Sequence, residues 1–518
     1  MEFDNRLKNL YTHLKNIVKI FSAAQIKKWD EFTINNEPVS STDLVERAAR
    51  ACSNWISENC NNTSAFKIFC GKGNNGGDGL AIARLLLEKK YSVVVYIVDT
   101  SSEGSPDFQI NLQRLKSTTS EIIFLASSKS FPSLVKEDVI VDALFGTGLS
   151  KKPAGIFKEL IIHLNNSNAT IVSVDMPSGL YADKSSNGNS IIRSRYTLSF
   201  QQYKLAFLLA ENESFCGKII LLDIKLSKEY YNKEKSAFDV VDQDTIKQIY
   251  IPRKDFANKG NYGYACLLAG SYGMMGAAEM SAKACLRSGV GKLRVYICRQ
   301  GYNIMQIAVP EAMCTMFGNT FIKDVKNVKD FDVIGIGPGI GKHVSHKELL
   351  QKIFTSFKKP IVIDADALNV LSENPALYKL IPPQSIITPH PKEFERLFGS
   401  TANEFERIKL AMQKANELNI YIVLKGHHTL IATPVGKGYF NSTGNAGMAT
   451  AGAGDVLTGI ITALIAQKYD SLHACILGVY LHGYAGDIAA DKLSQEAMIA
   501  GDIIDNLGES FKQIASYK

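Results

Sequence analysis

Through both halves of this chain, short apolar runs end in loops rich in glycine and in Asn or Asp. Each loop leads into a stretch with helical periodicity. Such alternation is the pattern of layered α/β folds, in which helices pack on a mainly parallel sheet. The carboxyl ends of the strands then meet at one crevice, so the loops at those ends carry the chemistry. At 518 residues, the chain exceeds what one hydrophobic core serves, and two domains are expected.

In the first half, strands are expected at Phe66–Cys70, Ser92–Val98, Val139–Val141 and Thr170–Val174. In the second they are expected at Tyr264–Leu268, Lys292–Ile297, Val333–Ile336, Pro360–Ile363, Ser385–Thr388 and Ile420–Leu424. Residues 43–57 have helical periodicity, with Asp43 and Glu46 as a capping box. The segment 227–238, SKEYYNKEKSAF, is charged and poor in large aliphatics. A boundary within it gives domains at 17–230 and 231–518, preceded by a short polar helical extension at 1–16.

Composition excludes several classes. A net charge of +7, from 58 basic and 51 acidic residues, is small for this length, and no basic and aromatic stripe points to nucleic acid. The nine cysteines form no CxxC pair, so buried, reduced thiols are expected rather than zinc or disulfides. His343 and His346 lack accompanying ligands and read as loop histidines. No apolar run approaches the roughly 18 residues of a membrane span. The longest, Val456–Ala466, is broken by Gly459, and no signal-peptide pattern opens the chain. A cytoplasmic protein without a membrane partner is expected.

The first loop reads CGKGNNGGDG, residues 70–79. Gly71, Gly73 and Gly76 fit the GxGxxG of dinucleotide-binding folds, with Asp99 ending the next strand. A nicotinamide dehydrogenase is one reading. Asp78 opposes it, because a carboxylate near the helix start repels a pyrophosphate. A plain glycine turn with a capping Asp accounts for the loop equally well. Two more strands run into Asp142 and into Asp175, followed by ALFGTGLSKKPAG and MPSGL. Asn75, Asp142 and the Ser178 hydroxyl supply oxygen ligands for a hard cation. Gly146–Lys152 offers backbone N–H groups and two lysines to phosphates, and Asp175 remains as general acid or base.

GNNGGDGLAIAR, VDALFGTGL and VDMPSGL resemble the signature loops of the NAD(P)H-hydrate epimerase family. That resemblance implies a Rossmann-like three-layer domain over about 17–230 and interconversion of the R and S hydrates at nicotinamide C6. It implies K+ at Asn75, Asp142 and Ser178. It implies substrate on Asn74, Asn75, Gly76, Gly77, Asp78, Gly146, Thr147, Gly148, Leu149, Ser150, Lys151, Lys152 and the catalytic Asp175. ERAAR at 46–50 departs from the commoner ENAG.

In the second half, GNAGMATAGAGDVLTG (444–459) holds five glycines and four alanines before an apolar helix. Small residues let the backbone approach a ligand, and helix N-terminal amides stabilise an anion. Asp455 there can deprotonate a hydroxyl for phosphoryl transfer. A capped glycine-rich connection is the structural alternative, and a ribokinase-like small-molecule kinase the functional one. LAGSYGMMGAAEMSAKACLRSGVG, IGPGIG, DADALNVL, TPHPKEFERL and KGHHT resemble the ADP- or ATP-dependent NAD(P)H-hydrate dehydratase family, over about 238–516.

This second resemblance implies a ribokinase-like α/β domain. It implies nucleotide, with Mg2+, on Lys425, Gly426, His427, His428, Thr429, Asn445, Ala446, Gly447, Met448, Ala449, Thr450, Ala451, Gly452, Ala453 and Gly454. Hydrate is implied on Ala277, Gly339, His390, Pro391, Lys392, Glu393, Phe394, Glu395 and Arg396, with Asp455 as the catalytic base. HPKE replaces the family's usual HPGE, and Asn258-Lys259-Gly260 its usual HKG. Together the two halves resemble bifunctional NAD(P)H-hydrate repair enzymes. The substrates implied are NADHX and NADPHX, and a homo-oligomer is expected. Some epimerase-family proteins are protein-binding modules; the presence of Asp142, Asp175 and Asp455 favours catalysis.

Overall fold

The computed structural model describes residues 17–60, 65–101, 103–118 and 121–516. The expected extension at 1–16 lies outside them. Two compact units form. One comprises residues 20–236 with 403–405; the other comprises 17–19, 237–402 and 406–516.

Strand β1 (Val18–Ile20) lies at an edge of the larger sheet. The first unit is built on a parallel sheet of seven strands: β2 (Phe66–Cys70), β3 (Val93–Val98), β4 (Glu121–Leu125), β5 (Val139–Ala143), β6 (Thr170–Val174), β7 (Tyr196–Phe200) and β8 (Lys218–Leu222). Their order, β4-β3-β2-β5-β6-β7-β8, is that of a Rossmann-like sheet. The connections change direction between β2 and β5, and a ligand crevice opens at such a switch point. On one face, the helices Ser41–Asn59 and Asn74–Glu88 bury Val45, Ala49, Cys52, Leu80 and Ile82 against Ile68, Val95 and Val141. On the other, helix Ile156–Asn165 buries Leu160, Ile161 and Leu164 against Phe69, Tyr96 and Ile140. This is the three-layer arrangement that the alternation predicts.

The second unit's strands are β9 (Phe238–Val241), β10 (Tyr264–Leu268), β11 (Lys292–Ile297), β12 (Met313–Met316), β13 (Val333–Ile336), β14 (Ile361–Ile363), β15 (Ile386–Ile387), β16 (Tyr421–Leu424), β17 (Leu430–Ala432) and β18 (Gly438–Asn441). The order is β1-β9-β18-β17-β16-β15-β14-β13-β10-β11-β12. From β12 to β16 every pairing is parallel; β17 then runs antiparallel to both its neighbours. The apolar helices Ala453–Ala466 and Ser471–Leu493 cover one face, burying Ile460, Leu464 and Leu477 with Leu267 and Val333.

Two local expectations are corrected. The helix expected at 43–57 spans Ser41–Asn59, and its capping box joins Ser40 to Asp43, not Asp43 to Glu46. The Ser40 hydroxyl accepts from Asp43 N while the Asp43 carboxylate accepts from Ser40 N, and Glu46 instead meets Arg50 and Arg84. His346 is no loop residue: it opens a helix and is buried. The polar segment after Ser227 folds as a short helix, Lys228–Lys233, with Tyr230 and Tyr231 packed on Phe21 and Trp29.

Seven of the nine free cysteines are buried. Among the described residues, no helix is long and apolar enough to cross a membrane.

Candidate active sites

The loop after β2 is shaped by backbone crowding. A Cβ at Gly71 would meet the Leu144 backbone, and one at Gly76 the Gly71 backbone, both too closely to tolerate. Helix Asn74–Glu88 starts behind Gly73 without a side-chain cap. Asp78 therefore caps nothing. It is buried one turn into the helix, and burial, with the charges of Asp175, Asp30 and Asp107, holds its carboxyl well above the ordinary range. Asp99 pairs with Lys72 inside the same loop, Nζ to Oδ1 at 2.9 Å. In a dehydrogenase that carboxylate meets a ribose hydroxyl.

Asp142, at the end of β5, is fully buried. Its Oδ1 accepts from the Ser178 hydroxyl at 2.5 Å, and its Oδ2 from Ser178 N at 2.9 Å and the Ser173 hydroxyl at 2.8 Å. Burial raises this carboxyl, and those hydrogen bonds oppose the rise. Phe145 N donates to Ser178 Oγ at 2.8 Å, which brings the next residue, Gly146, to the cluster. A Cβ at Gly146 would lie 2.7 Å from Asp175 Oδ2 and 3.3 Å from Asn75 Cγ. Asn75, from the first turn of its helix, and Gly146 and Asp175, from two separate loops, thus converge at the crevice beside β2 and β5.

Neither side-chain polar atom of buried Asn75 has a hydrogen-bond partner. A buried amide left unsatisfied is costly, and its oxygen, taken with those of Asp142 and Ser178, makes an all-oxygen donor set suited to a hard monovalent cation. The residues present fit such an ion.

Asp175 has a left-handed backbone, φ 67°. Its Oδ2 accepts from Thr147 N at 2.8 Å and its Oδ1 from Lys204 Nζ at 2.7 Å. Lys204 is buried and also donates to Ser199 Oγ and Phe200 O. Asp30, on helix Ala23–Asn36, faces this pair. Burial, with the negative charge of Asp175, pushes its carboxyl up to about 7. Leu149, Ser150, Lys151 and Lys152 lie on the outer part of the loop, with both lysines exposed.

In the second unit, the loops after β10, β13, β14 and β15 meet in the same way. Gly339 has φ 60°, and a Cβ there would lie 2.9 Å from Ala277 Cβ; Ser271 Oγ donates to Gly339 O. Asp364, buried at the end of β14, accepts from Lys425 Nζ at 3.0 Å and from Thr458 Oγ1 at 2.7 Å. Lys425 also lies 3.8 Å from Glu393. Burial works against the Lys425 ammonium, but Asp364 and Glu393 outweigh it and hold the pKa above the ordinary lysine value.

Asp455 sits in the first turn of helix Ala453–Ala466. Its N-cap is Gly452, φ 91°, with no side-chain cap, so Asp455 is free for chemistry. Burial and the charge of Asp364 push its carboxyl up to about 7, against the pull of Lys425.

The HPKE segment divides. His390 is a cap: its Nδ1 accepts from Lys392 N and Glu393 N, and Glu393 Oε2 accepts from His390 N. Burial lowers its pKa, so it is neutral near pH 7. The Lys392 side chain is exposed. Phe394 points into the core, packed on Phe398, while Glu395 pairs with Arg407 and Arg396 with Asn369. In KGHHT, Gly426 N donates to Thr429 Oγ1, closing a tight turn.

Residues 265–508 match the family described as NAD(P)H-hydrate dehydratase, and residues 41–206 match the YjeF-related protein N-terminus. The bifunctional NAD(P)H-hydrate repair enzyme Nnr of Moorella thermoacetica is 32% identical over 506 residues, covering 94% of this chain and 96% of that one. The chain belongs to the family of bifunctional NAD(P)H-hydrate repair enzymes. Its Escherichia coli relative of the same description is 34% identical, covering 85% of this chain and 84% of that one. Among solved structures, the ADP/ATP-dependent NAD(P)H-hydrate dehydratase from Bacillus subtilis, co-crystallised with ATP and Mg2+, matches with 31% identity and a TM-score of 0.47. That match covers 53% of this chain and 97% of that one.

Within this family frame, the departures have local explanations. Glu46 and Arg50 of ERAAR form an ion pair that also engages Arg84. Asn258, standing in for the family's usual His, caps the turn Lys259–Tyr262 through Gly260 N. Three groups escaped the sequence reading: Asp30, Lys204 and Asp364. Only Asp364 carried a signal, as the first residue of DADALNVL.

Proposed function

We propose that this chain repairs hydrated NADH and NADPH in two steps. The first unit interconverts the R and S hydrates, and the second returns the S hydrate to the dinucleotide with ADP or ATP and Mg2+. The observation behind the reading is the pair of convergences described above: Asn75, Gly146 and Asp175 in one unit, and Asp364, Lys425 and Asp455 in the other.

Epimerisation needs acid and base. The hydrate carries a hydroxyl on C6, next to the ring nitrogen. Protonation and loss of that hydroxyl as water leave a C6=N1 cation. Water adding to the other face, with loss of a proton, gives the opposite epimer. Asp175, fixed by Thr147 N–H and Lys204, suits the base. Asp78 and Asp30, raised by burial, retain protons that can be given. Asn75, Asp142 and Ser178 would hold K+, which would supply fixed positive charge. The N–H groups of the loop after Thr147, with Lys151 and Lys152, suit the substrate phosphates.

In the second unit a nucleotide, when bound, supplies the phosphoryl group that makes the C6 hydroxyl a good leaving group. Asp455 takes the hydroxyl proton as the phosphoryl group moves to the C6 oxygen and AMP or ADP leaves; phosphate then departs from C6, and loss of a C5 proton restores the C5–C6 double bond. Lys425 is held ready by Asp364, and the N–H groups in the first turn of helix Ala453–Ala466 suit anionic oxygens. The nine free thiols suit a reducing, cytoplasmic setting. The exposed Ile304, Ile307, Met313 and Met316, on β12 and the helix before it, suit self-association.

The test is one preparation given mixed R and S hydrates. Conversion of S hydrate should require ADP or ATP, and R hydrate should be consumed through epimerisation. That epimerisation should run faster in K+ than in Li+. Dehydration without nucleotide, or persistence of R hydrate while S hydrate is removed, would sink the reading.

A further inference from the structure

Loop 443–453 is shaped by one face of the neighbouring helix, Ser471–Leu493. His482 and Gly486 are four residues apart on that helix, as are Gly483 and Asp487, so each pair stacks one turn above the other on the side next to the loop. At the loop's start, Asp487 Oδ2 accepts from Gly444 N and Oδ1 from Asn445 Nδ2, both at 2.9 Å. Asn445 Oδ1 in turn accepts from Gly447 N at 3.0 Å, passing the order along the loop. At its end, His482 Nε2 lies 2.9 Å from Ala453 O. A carbonyl only accepts, so Nε2 carries the proton. Between these two tethers the helix presents glycines. A Cβ at Gly483 would lie 2.7 Å from the Thr443 carbonyl carbon, and one at Gly486 would lie 2.7 Å from Met448 Cγ. Thr443 Oγ1 also donates to Tyr480 O.

We infer that His482 and Asp487 are positioning residues for dehydration, Asp487 holding the loop that receives the nucleotide and His482 the backbone that aims Asp455. The inference rests on the reading that residues 445–454 take ADP. Burial lowers the His482 pKa to about 4, so the ring stays neutral across the working range and its tether does not switch with pH. Gly483 and Gly486 weaken the helix interior relative to alanine. That cost is understandable where the loop must lie directly against the helix.

The two tethers predict different kinetic losses. Asp487→Asn keeps the shape but turns one acceptor into a donor facing a donor. It is expected to raise the ADP KM and Kd roughly 10-fold or more, the scale of losing a hydrogen bond to a charged group, with kcat changed less. His482→Phe is expected to lower kcat at saturating ADP about 10-fold or more, the scale on which a small misplacement costs rate. His482→Gln, which can still donate an N–H, should recover most of it. Gly486→Ala strengthens the helix while pushing on Met448, so it should raise the ADP KM without lowering the melting temperature.

The measurements are dehydration kinetics, direct ADP binding and, on the same preparations, epimerisation as a control for folding. If the parent enzyme does not bind ADP, the reading of the loop fails. If it does, the inference is overturned by Asp487→Asn and Gly486→Ala both keeping ADP binding within about twofold. It is overturned equally by His482→Gln being no better than His482→Phe.

Discussion

Lys204 Nζ lies 2.7 Å from Asp175 Oδ1, and both side chains are buried. The lysine comes 29 residues after the aspartate and reaches it from the end of a different strand. Removing one partner of a buried ion pair strands the other and typically costs about 3–5 kcal/mol. Lys204→Met is therefore expected to destabilise the first unit on that scale and to abolish most epimerisation. Calorimetry combined with both activity assays checks this. Undiminished epimerisation would show that the pair is not part of the site.

Gly146 lies between two functional groups, so a single methyl tests their convergence. Gly146→Ala would place a carbon 2.7 Å from Asp175 Oδ2 and against the Asn75 amide. Misplacing reacting groups by about 1 Å can cost on the order of 100-fold in rate. Epimerisation is expected to fall on that scale, while dehydration of pure S hydrate is unchanged. Equal loss of both activities would point to unfolding rather than to the site.

What the sequence revealed was local. Asp142, Asp175, Ser178 and Asp455 each follow or open an element, in a loop whose small residues mark close backbone approach, and those loops are readable as text. Lys204 and Asp30 have no such surroundings; they become neighbours of Asp175 only when the sheet and helix Ala23–Asn36 come together. Strand β7 is hidden in the sequence for a related reason. Its Thr197 and Ser199 are fully buried, and the chain satisfies them through Cys216 O and Gln202 O. An apolar alternation rule cannot anticipate a partner supplied by another segment. The cap at Ser40 is ambiguous in the sequence because Asp43 fits the N-cap pattern equally well when the backbone is unknown.

The Asp30 carboxyl gives a pH signature. Its pKa is about 7 in the folded chain and about 3.9 in an unfolded one. The folded state thus holds a proton that the unfolded state has released, and this group's contribution to stability falls as pH rises from about 4 to about 7. Asp30→Asn removes that dependence. Because the group is partly exposed, the variant is expected to gain only about 1–2 kcal/mol at pH 8. It should gain nothing at pH 4, and it should epimerise more slowly. Denaturant titrations at the two pH values check the sign; a larger gain at pH 4 than at pH 8 would refute it.

Asp455 allows the sharpest test, because two substitutions should act on one titration in different ways. In the parent enzyme burial and Asp364 push its carboxyl up to about 7. The base form therefore accumulates as pH rises through that value, and kcat for dehydration should rise with it to a plateau. Asp364→Asn removes a negative neighbour and also frees the Lys425 charge. Both changes favour the ionised Asp455, so the rise in kcat should move to lower pH, while the plateau falls because Lys425 has lost its anchor. Asp455→Asn removes the base itself. General-base assistance is worth about 10²–10⁴-fold, so kcat should drop on that scale and lose its rise near pH 7. ADP binding should change little, and epimerisation should persist. Rate profiles from about pH 5.5 to 9, with ADP binding measured at each end, decide the matter. A rise near pH 7 that survives in Asp455→Asn would assign the titration to another group and remove Asp455 from the proton transfer.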